Sequence, residues 1–420
     1  MKYIEIKKLF GRFDYKIDLE PNLIIITGPN GFGKSTILKI LYNLTQGILG
    51  LSFFYTVEFA SIKVMLSSKK AIVIKKENNE LLINKSKIMS ADFINHIENR
   101  LRHRPYFRQK GDHLWFDRRE DRIVSTEVYI LEQISKEEFD RDLPFRENPI
   151  VNSLKKTYVI FDKIKKEIGN VSLITEQRLL RENLNSEEKE VENVIDGLPE
   201  KIKELFAQEQ RRYSNISSDL DGSYPVRLFK NNLKISEKEF HDNIVAFNDK
   251  FLKLNSYGLN INKAFGNVEY KDEHAKAFKV YFDDLKQKYM IYDEFIKKIE
   301  IYTSIVNSRL MFKTIKIDRE NGLVVSDING RSLSLNQLSS GEKQEIVIFY
   351  DLIFGVEKDL LLLIDEPEIS LHIAWQKKFI EDLQKIIEMK SLKVIVATHS
   401  PQIINNHWDI QVDLGEFYGK

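Results

Sequence analysis

The chain contains no cysteine. That excludes disulfides, thiolate nucleophiles and cysteine-ligated metals, and it fits a reducing compartment. It also lacks any apolar run approaching the roughly 18 residues that a membrane-spanning helix needs. Its first residues, Met1-Lys2-Tyr3-Ile4-Glu5-Ile6-Lys7, have no signal-peptide core. The expectation is a cytoplasmic protein with no membrane partner. Excess charge of either sign is absent too: 64 Lys and Arg against 63 Asp and Glu leave a formal +1. Net charge therefore points neither to nucleic acid nor to an acidic partner. Finally, no repeat at solenoid periods and no sustained heptad run is visible. The length allows roughly two to three domains.

What is present begins near the C-terminus. Leu360-Leu361-Leu362-Leu363-Ile364 is continuously apolar, as a strand buried on both faces is, and it ends in Asp365-Glu366-Pro367. Two adjacent carboxylates beside such a strand are costly unless a cation and a water sit there. In open α/β sheets ligands bind outside the carboxyl ends of the strands, where these acids fall. Asp365 is expected to hold Mg²⁺, mostly through water, and Glu366 to orient or deprotonate an attacking water.

A nucleotide loop lies near the N-terminus. Tyr3 to Ile6 and Tyr15 to Leu19 alternate as an antiparallel pair, and Asn22 to Thr27 is a buried strand. It runs into Gly28-Pro29-Asn30-Gly31-Phe32-Gly33-Lys34-Ser35-Thr36, which matches G-x-x-x-x-G-K-S/T between a strand and an apolar-periodic helix, Ile37 to Leu44. Glycines let the backbone wrap a phosphate, with N–H groups and the helix N-terminus facing the anion. Asn30, Gly31, Gly33, Lys34, Ser35 and Thr36 would contact ATP. Lys34 would reach the β- and γ-phosphates and Ser35 would ligate Mg²⁺. Phe53 to Leu66, Ala71 to Lys76 and Leu81 to Ile83 read as further strands, extending the sheet beside the phosphate loop.

From about Lys85 to about Ser308 the sequence is charged and helical, an irregular insertion rather than a long coiled coil. Within it, Arg100 to Lys110 is basic with interleaved aromatics, followed by Trp115, Phe116, Arg118 and Arg119. Such a stretch suits nucleic acid. The favoured reading is an ordinary solvated helix face, partly neutralised by Asp112, Asp117, Glu120 and Asp121. Val171 to Thr175 is β-prone and leads to Gln177. Gln177 is either an ordinary loop residue or a group delivered by a strand end towards Mg²⁺ and the γ-phosphate.

Short strands return at Lys313 to Ile317, Leu323 to Ser326 and Leu333 to Leu335. Leu338-Ser339-Ser340-Gly341-Glu342 then opens a helix, and Ser-Gly at a helix N-terminus is a second anion site. One molecule has no obvious need for two phosphate cradles around one nucleotide, so this one is expected to cap the nucleotide of a second molecule. Leu392 to Thr398 is another buried strand, and His399-Ser400-Pro401 at its end can reach the γ-phosphate and report its loss.

Gly28 to Thr36, Leu338 to Glu342, Leu360 to Pro367 and Thr398 to Pro401 resemble the Walker A, signature, Walker B and His-switch motifs of ABC-type ATPases. Ser370-Leu371-His372 after the acids resembles the soluble RecF/OLD/SMC-like branch. The resemblance covers roughly residues 1–84 and 305–420. It implies an α/β head, with a parallel core sheet and an antiparallel β-subdomain, interrupted by a large mostly helical insertion over 85–304. It also implies a head-to-head dimer, or a higher even-numbered oligomer, sandwiching two ATP. Ser339 and Gly341 would then contact the γ-phosphate in trans, and Gln177 would fall at the Q-loop. Catalysis would rest on Glu366, Lys34, His399 and Gln177, and Mg²⁺ on Ser35, Asp365 and Gln177.

Val171 to Leu179, Asp219 to Leu228 and Trp375 to Phe379 are similar to the ATPase subunits (PtuA) of Septu-type antiphage defence, including retron-associated forms. The chain stops soon after Trp408-Asp409-Ile410, with no room for a Toprim nuclease and no HNH-like His/Asn/His cluster. A separate nuclease effector, HNH-type by this resemblance, is therefore expected. The alternative is a RecF/SMC-like DNA-repair ATPase acting directly on DNA.

Overall fold

The computed structural model describes residues 1–77, 80–88, 91–111, 113–126, 128, 129, 132, 149–175, 180–182, 191–259, 265, 266, 268–356, 358, 360–371 and 373–417. The chain forms two compact units, one of Met1–Val191 with Val356–Lys420, the other of Glu192–Gly355.

In the first unit the continuously apolar runs become the centre of a parallel sheet. Every residue of Leu23–Thr27 is buried, as are the first four of Leu361–Asp365 and the last four of Lys393–Ala397. A strand without polar alternation is stable only when covered on both faces. The strand order is Val171–Ile174, Leu361–Asp365, Lys393–Ala397, Leu23–Thr27, Gln411–Asp413. The half-buried strands take the edges, and all four pairings are parallel. Register pairs Ile174 with Ile364, Asp365 with Ala397, Ala397 with Ile26, and Thr27 with Asp413. The carboxyl ends therefore share one edge. The helix Lys34–Asn43 closes one face through fully buried Ile37, Leu38, Ile40 and Leu41.

The alternating sequences form a second, antiparallel sheet. Its order is Phe13–Asp18, Tyr3–Leu9, Ser61–Met65, Ala71–Glu77, Glu80–Ile83, Ser86–Lys87. Ile4, Ile6, Ile17, Ile62, Val64, Ile74, Leu81 and Ile83 fill its inner face. Of the strand expected over Phe53 to Leu66 only Ser61–Met65 forms, and Leu51–Thr56 is helical. Ile48, Leu51 and Phe54 recur at every third position, and all three are buried. A short apolar run does not distinguish helix from strand by composition alone.

The charged middle also contains strands, and of the basic stretch expected to be a helix face only Arg100 to Arg102 lies on a helix. Phe107–Gly111, Leu114–Asp117 and Arg122–Ser125 form an antiparallel meander, whose fully buried Trp115 donates its indole N–H to Thr126 Oγ1 at 2.9 Å. The basic–aromatic stretch is largely engaged with itself here. Arg119 forks onto Asp117 and lies 4.1 Å over the Tyr106 ring. Arg122 holds Glu132 through two hydrogen bonds, and Arg104 donates to the Tyr129 hydroxyl.

The second unit is built on three helices, Leu198–Lys230, Glu237–Ser256 and Ala275–Asn307. The first and third have 33 residues each, about 50 Å of helix at 1.5 Å per residue. Aromatic rings cement them, with Phe206 edge-on to Phe295 at 4.9 Å and Phe247 stacked on Phe282 at 5.9 Å. Asp219 to Leu228 occupies the late turns of the first helix, where Arg227 forks onto Asp284 of the third. Lys313–Asp318, Gly322–Asp327 and Ser332–Leu333 form a small antiparallel sheet. Gly322 is obligatory at its turn: φ is +69° and an added Cβ would lie 2.1 Å from the Pro199 carbonyl oxygen. The helix Ser340–Tyr350 follows. Among the described residues no helix is long and apolar enough to cross a membrane.

Candidate functional site

The site grows from the shared strand ends of the first unit. After Thr27 the chain turns through Gly28, Gly31 and Gly33, all at positive φ. At Gly33 a Cβ would meet Leu9 Cδ2 at 2.7 Å, so both conformation and space require glycine. At Gly31 nothing lies within 4 Å, and only the conformation does. The loop rests on aromatic support. The Tyr15 hydroxyl donates to the Phe32 carbonyl at 2.7 Å, and Phe32 packs on Phe13 at 4.8 Å. Burial pushes the Tyr15 phenol up to about 12, so it remains a donor. Asn30 and Gly31 are exposed at the crest and Thr36 is half-buried.

Lys34 opens the helix and is 5% exposed. Its ammonium donates to the carbonyls of Gly28 at 2.8 Å and Pro29 at 3.4 Å. It is thus folded over the loop its charge would serve. Ser35 Oγ donates to Asp365 Oδ1 at 2.9 Å, which brings the proposed metal-binding hydroxyl and carboxylate together. The pair suits Mg²⁺, which prefers hard oxygen donors, takes few from protein and leaves room for phosphate and water. Among the described residues no group of three or more His, Asp or Glu forms a closed metal cage. An open, partial donor set is what a nucleotide-bound Mg²⁺ uses.

Glu366 sits at φ +45°, with its N–H bonded to the Ala397 carbonyl at 2.9 Å. Burial, then the neighbouring charges of Asp365 and Glu368, raise its carboxyl above the ordinary range against the opposing pull of His399 and Lys34. That makes it a stronger base than a free glutamate. His399 Nδ1 lies 3.9 Å from Glu366 Oε1 and 2.9 Å from Glu368 Oε1. The structure therefore unites Lys34, Ser35, Asp365, Glu366 and His399 on one edge. Gln177 lies outside the described residues, although the strand leading towards it ends beside the acid strand.

The sequence reading did not single out Glu368 or Gln376. Glu368 Oε1 also accepts the His399 backbone N–H at 2.8 Å. Gln376 bonds Ser400 Oγ at 2.7 Å and the carbonyls of Glu368 at 3.3 Å and Leu371 at 3.0 Å. The available signal was weak, a third carboxylate three positions after Asp365.

In the second unit, Ser339 caps the helix Ser340–Tyr350 in a reciprocal box. Its hydroxyl accepts the Glu342 N–H at 3.3 Å, and Glu342 Oε2 accepts the Ser339 N–H at 2.7 Å. Lys313 grips both Glu342 oxygens, at 3.0 and 2.9 Å. Burial works against ionisation of Glu342, but Lys313 and the Ser339 bonds outweigh it and hold the carboxyl below its usual range. Ser339 and Ser340 are exposed and Gly341 half-buried, so the capped N-terminus remains accessible.

Residues 1–404 match the sequence model of a family described as AAA ATPase domain. A retron Ec83 probable ATPase of Escherichia coli is 28% identical over 145 residues, 31% of this chain and 26% of that one. The Septu protein PtuA of Bacillus thuringiensis is 30% identical over 113 residues, 24% of this chain and 28% of that one. The chain thus spans about a quarter of the length of these curated relatives. Among solved structures, the Smc head domain of Pyrococcus furiosus aligns over 96% of this chain and 91% of that one, at 14% identity and a TM-score of 0.34. The SMC head domain of Thermotoga maritima aligns over 96% and 90%, at 10% identity and 0.35. Superpositions that loose support no functional inference.

Proposed function

The chain belongs to the AAA ATPase domain family, and from that premise we propose that it is an ATP-hydrolysing subunit of an antiphage defence assembly. In that assembly nucleotide state would control a separate nuclease effector. The observation that carries the hydrolytic part is the 2.9 Å contact of Ser35 with Asp365, with Glu366 next in sequence. The defence role is supported by the likeness to a retron ATPase and a Septu protein.

Bound Mg²⁺, held by Ser35 and Asp365, would neutralise phosphate charge. Lys34 exchanges the Gly28 and Pro29 carbonyls for phosphate oxygens. The loop N–H groups and the helix N-terminus hold the same anion. Glu366 orients the attacking water and accepts its proton, while His399 contacts the γ-phosphate. Ser339 and Gly341 present a capped helix N-terminus to the nucleotide of a second copy. Positioning and charge neutralisation of this kind are most of what phosphoryl transfer requires.

Native mass spectrometry of the chain, purified with ATP and Mg²⁺ from its own operon, tests the assembly. A stoichiometric small nuclease on an even-numbered ATPase oligomer is expected. A nuclease-free, ATP-dependent dimer with salt-sensitive DNA binding would instead identify an ATPase acting directly on DNA.

A further inference from the structure

His399 owes its orientation to Glu368, a residue with no role in the reaction as described so far. One carboxylate oxygen accepts the His399 backbone N–H at 2.8 Å and lies 2.9 Å from its ring Nδ1. Glu368 lies in the turn Pro367–Ser370, directly after the acid strand. Gln376 ties that same turn to Ser400, the residue after the histidine. The γ-phosphate sensor is thus fastened to the segment that carries the base.

The side chain of Glu368 is 5% exposed, and among the described residues its Oε2 has no hydrogen-bond partner. A buried carboxylate with a bare oxygen is expensive. Satisfying the backbone N–H of His399 alone would not require one. What the carboxylate adds is an obligate acceptor opposite Nδ1. Because this oxygen already accepts the backbone N–H, it faces Nδ1 as an acceptor, which favours the proton on Nδ1 and leaves Nε2 as the ring's other functional edge.

We propose that Glu368 is a positioning residue for ATP hydrolysis, holding His399 in the Nδ1-protonated tautomer with Nε2 available to accept from a water bound at the reacting phosphate. This rests on the ATPase reading above.

Long-range ¹H–¹⁵N spectra of the full chain, labelled at its eight histidines, test it, with His399 assigned by the signal missing from His399→Gln. Wild type is expected to show a protonated Nδ1. Glu368→Ala is expected to shift His399 towards the Nε2-protonated form and to lower kcat by about tenfold to a hundredfold, with the KM for ATP changing less than about twofold. Glu368→Gln keeps an acceptor for both N–H groups and should retain the tautomer and part of the turnover. A wild-type Nε2-protonated ring, an unmoved tautomer in Glu368→Ala, or unchanged kcat in that variant would overturn the proposal. The wild-type and Glu368→Gln spectra decide it even if the alanine variant does not fold. If wild type turns over no ATP, the ATPase reading falls, while the spectra still report the Glu368–His399 link separately.

Discussion

Ser35 and Asp365 are hydrogen-bonded at 2.9 Å across 330 residues of sequence. One stands on the first turn of the helix after the phosphate loop, the other at the end of the acid strand. Two hard oxygen donors are therefore assembled by the sheet itself. Ser35→Ala should raise the Mg²⁺ concentration for half-maximal ATP hydrolysis by about tenfold to a hundredfold. EDTA-treated wild type should be inactive until Mg²⁺ is restored. A phosphate-release assay across a Mg²⁺ titration reads both, and an unchanged midpoint would remove Ser35 from the metal site.

Glu366→Gln keeps the shape of the side chain and removes the base. Turnover should fall by about a hundredfold to ten-thousandfold, while a fluorescent ATP analogue still binds. Normal hydrolysis by this variant would exclude Glu366 as the base.

The raised proton affinity of Glu366 has two pH signatures. The base must be ionised, so the acid limb of the kcat/KM profile, which reports the free enzyme, should lie above the range of an ordinary glutamate and disappear in Glu366→Gln. The folded chain also binds this proton more tightly than the unfolded chain does. Its contribution to stability is therefore present at low pH and lost as pH rises through the raised value. Nucleotide-free, EDTA-treated Glu366→Gln should melt above wild type at neutral pH, and the gap should close on acidification. A gap that widens on acidification would reverse the sign of the shift.

Gly33→Ala sets a Cβ 2.7 Å from Leu9 Cδ2 at φ +89°. A strained position of this kind costs ~1–3 kcal/mol, which denaturant unfolding would measure. ATP binding should be lost as well, because the loop cannot keep its curvature. Gly31→Ala meets no neighbour within 4 Å and should cost less.

Ser339 offers a contrast between local and intermolecular roles. Ser339→Ala removes a helix cap and should cost ~1 kcal/mol. Ser339→Arg should also abolish ATP-dependent association in the Glu366→Gln background, read by analytical ultracentrifugation. Undiminished association would end the in-trans assignment.

The sheet order was not written in the sequence, but its central strands were. Leu23–Thr27, Leu361–Asp365 and Lys393–Ala397 are apolar without alternation because both their faces are covered. The phosphate loop was legible because backbone curvature dictates its glycine spacing. Phe53 to Thr56 departs from the expected strand because four apolar and hydroxyl residues fit either period. The meander around Trp115 was hidden because its short strands and turns carry charges such as Arg119, which is paired with Asp117, and a list of cations does not reveal their partners. Glu368 and Gln376 escaped for a different reason. Their hydrogen bonds join a turn to a loop from the neighbouring strand, and no period along one segment encodes such a bond.

Because all five core strands run the same way, the groups proposed to meet the nucleotide are neighbours by sheet order and not by chain order. Three strands of five residues each carry the loop, the acids and the histidine. The connections between them need only return to the right lane. Between the phosphate-loop helix and the acid strand, the sheet itself requires only Val171–Ile174 and the proposed cap only the turn at Ser339 and Gly341, so the remaining excursions are not held by the strand order. A chain of this design can acquire a new partner by rewriting an excursion while inheriting its engine intact.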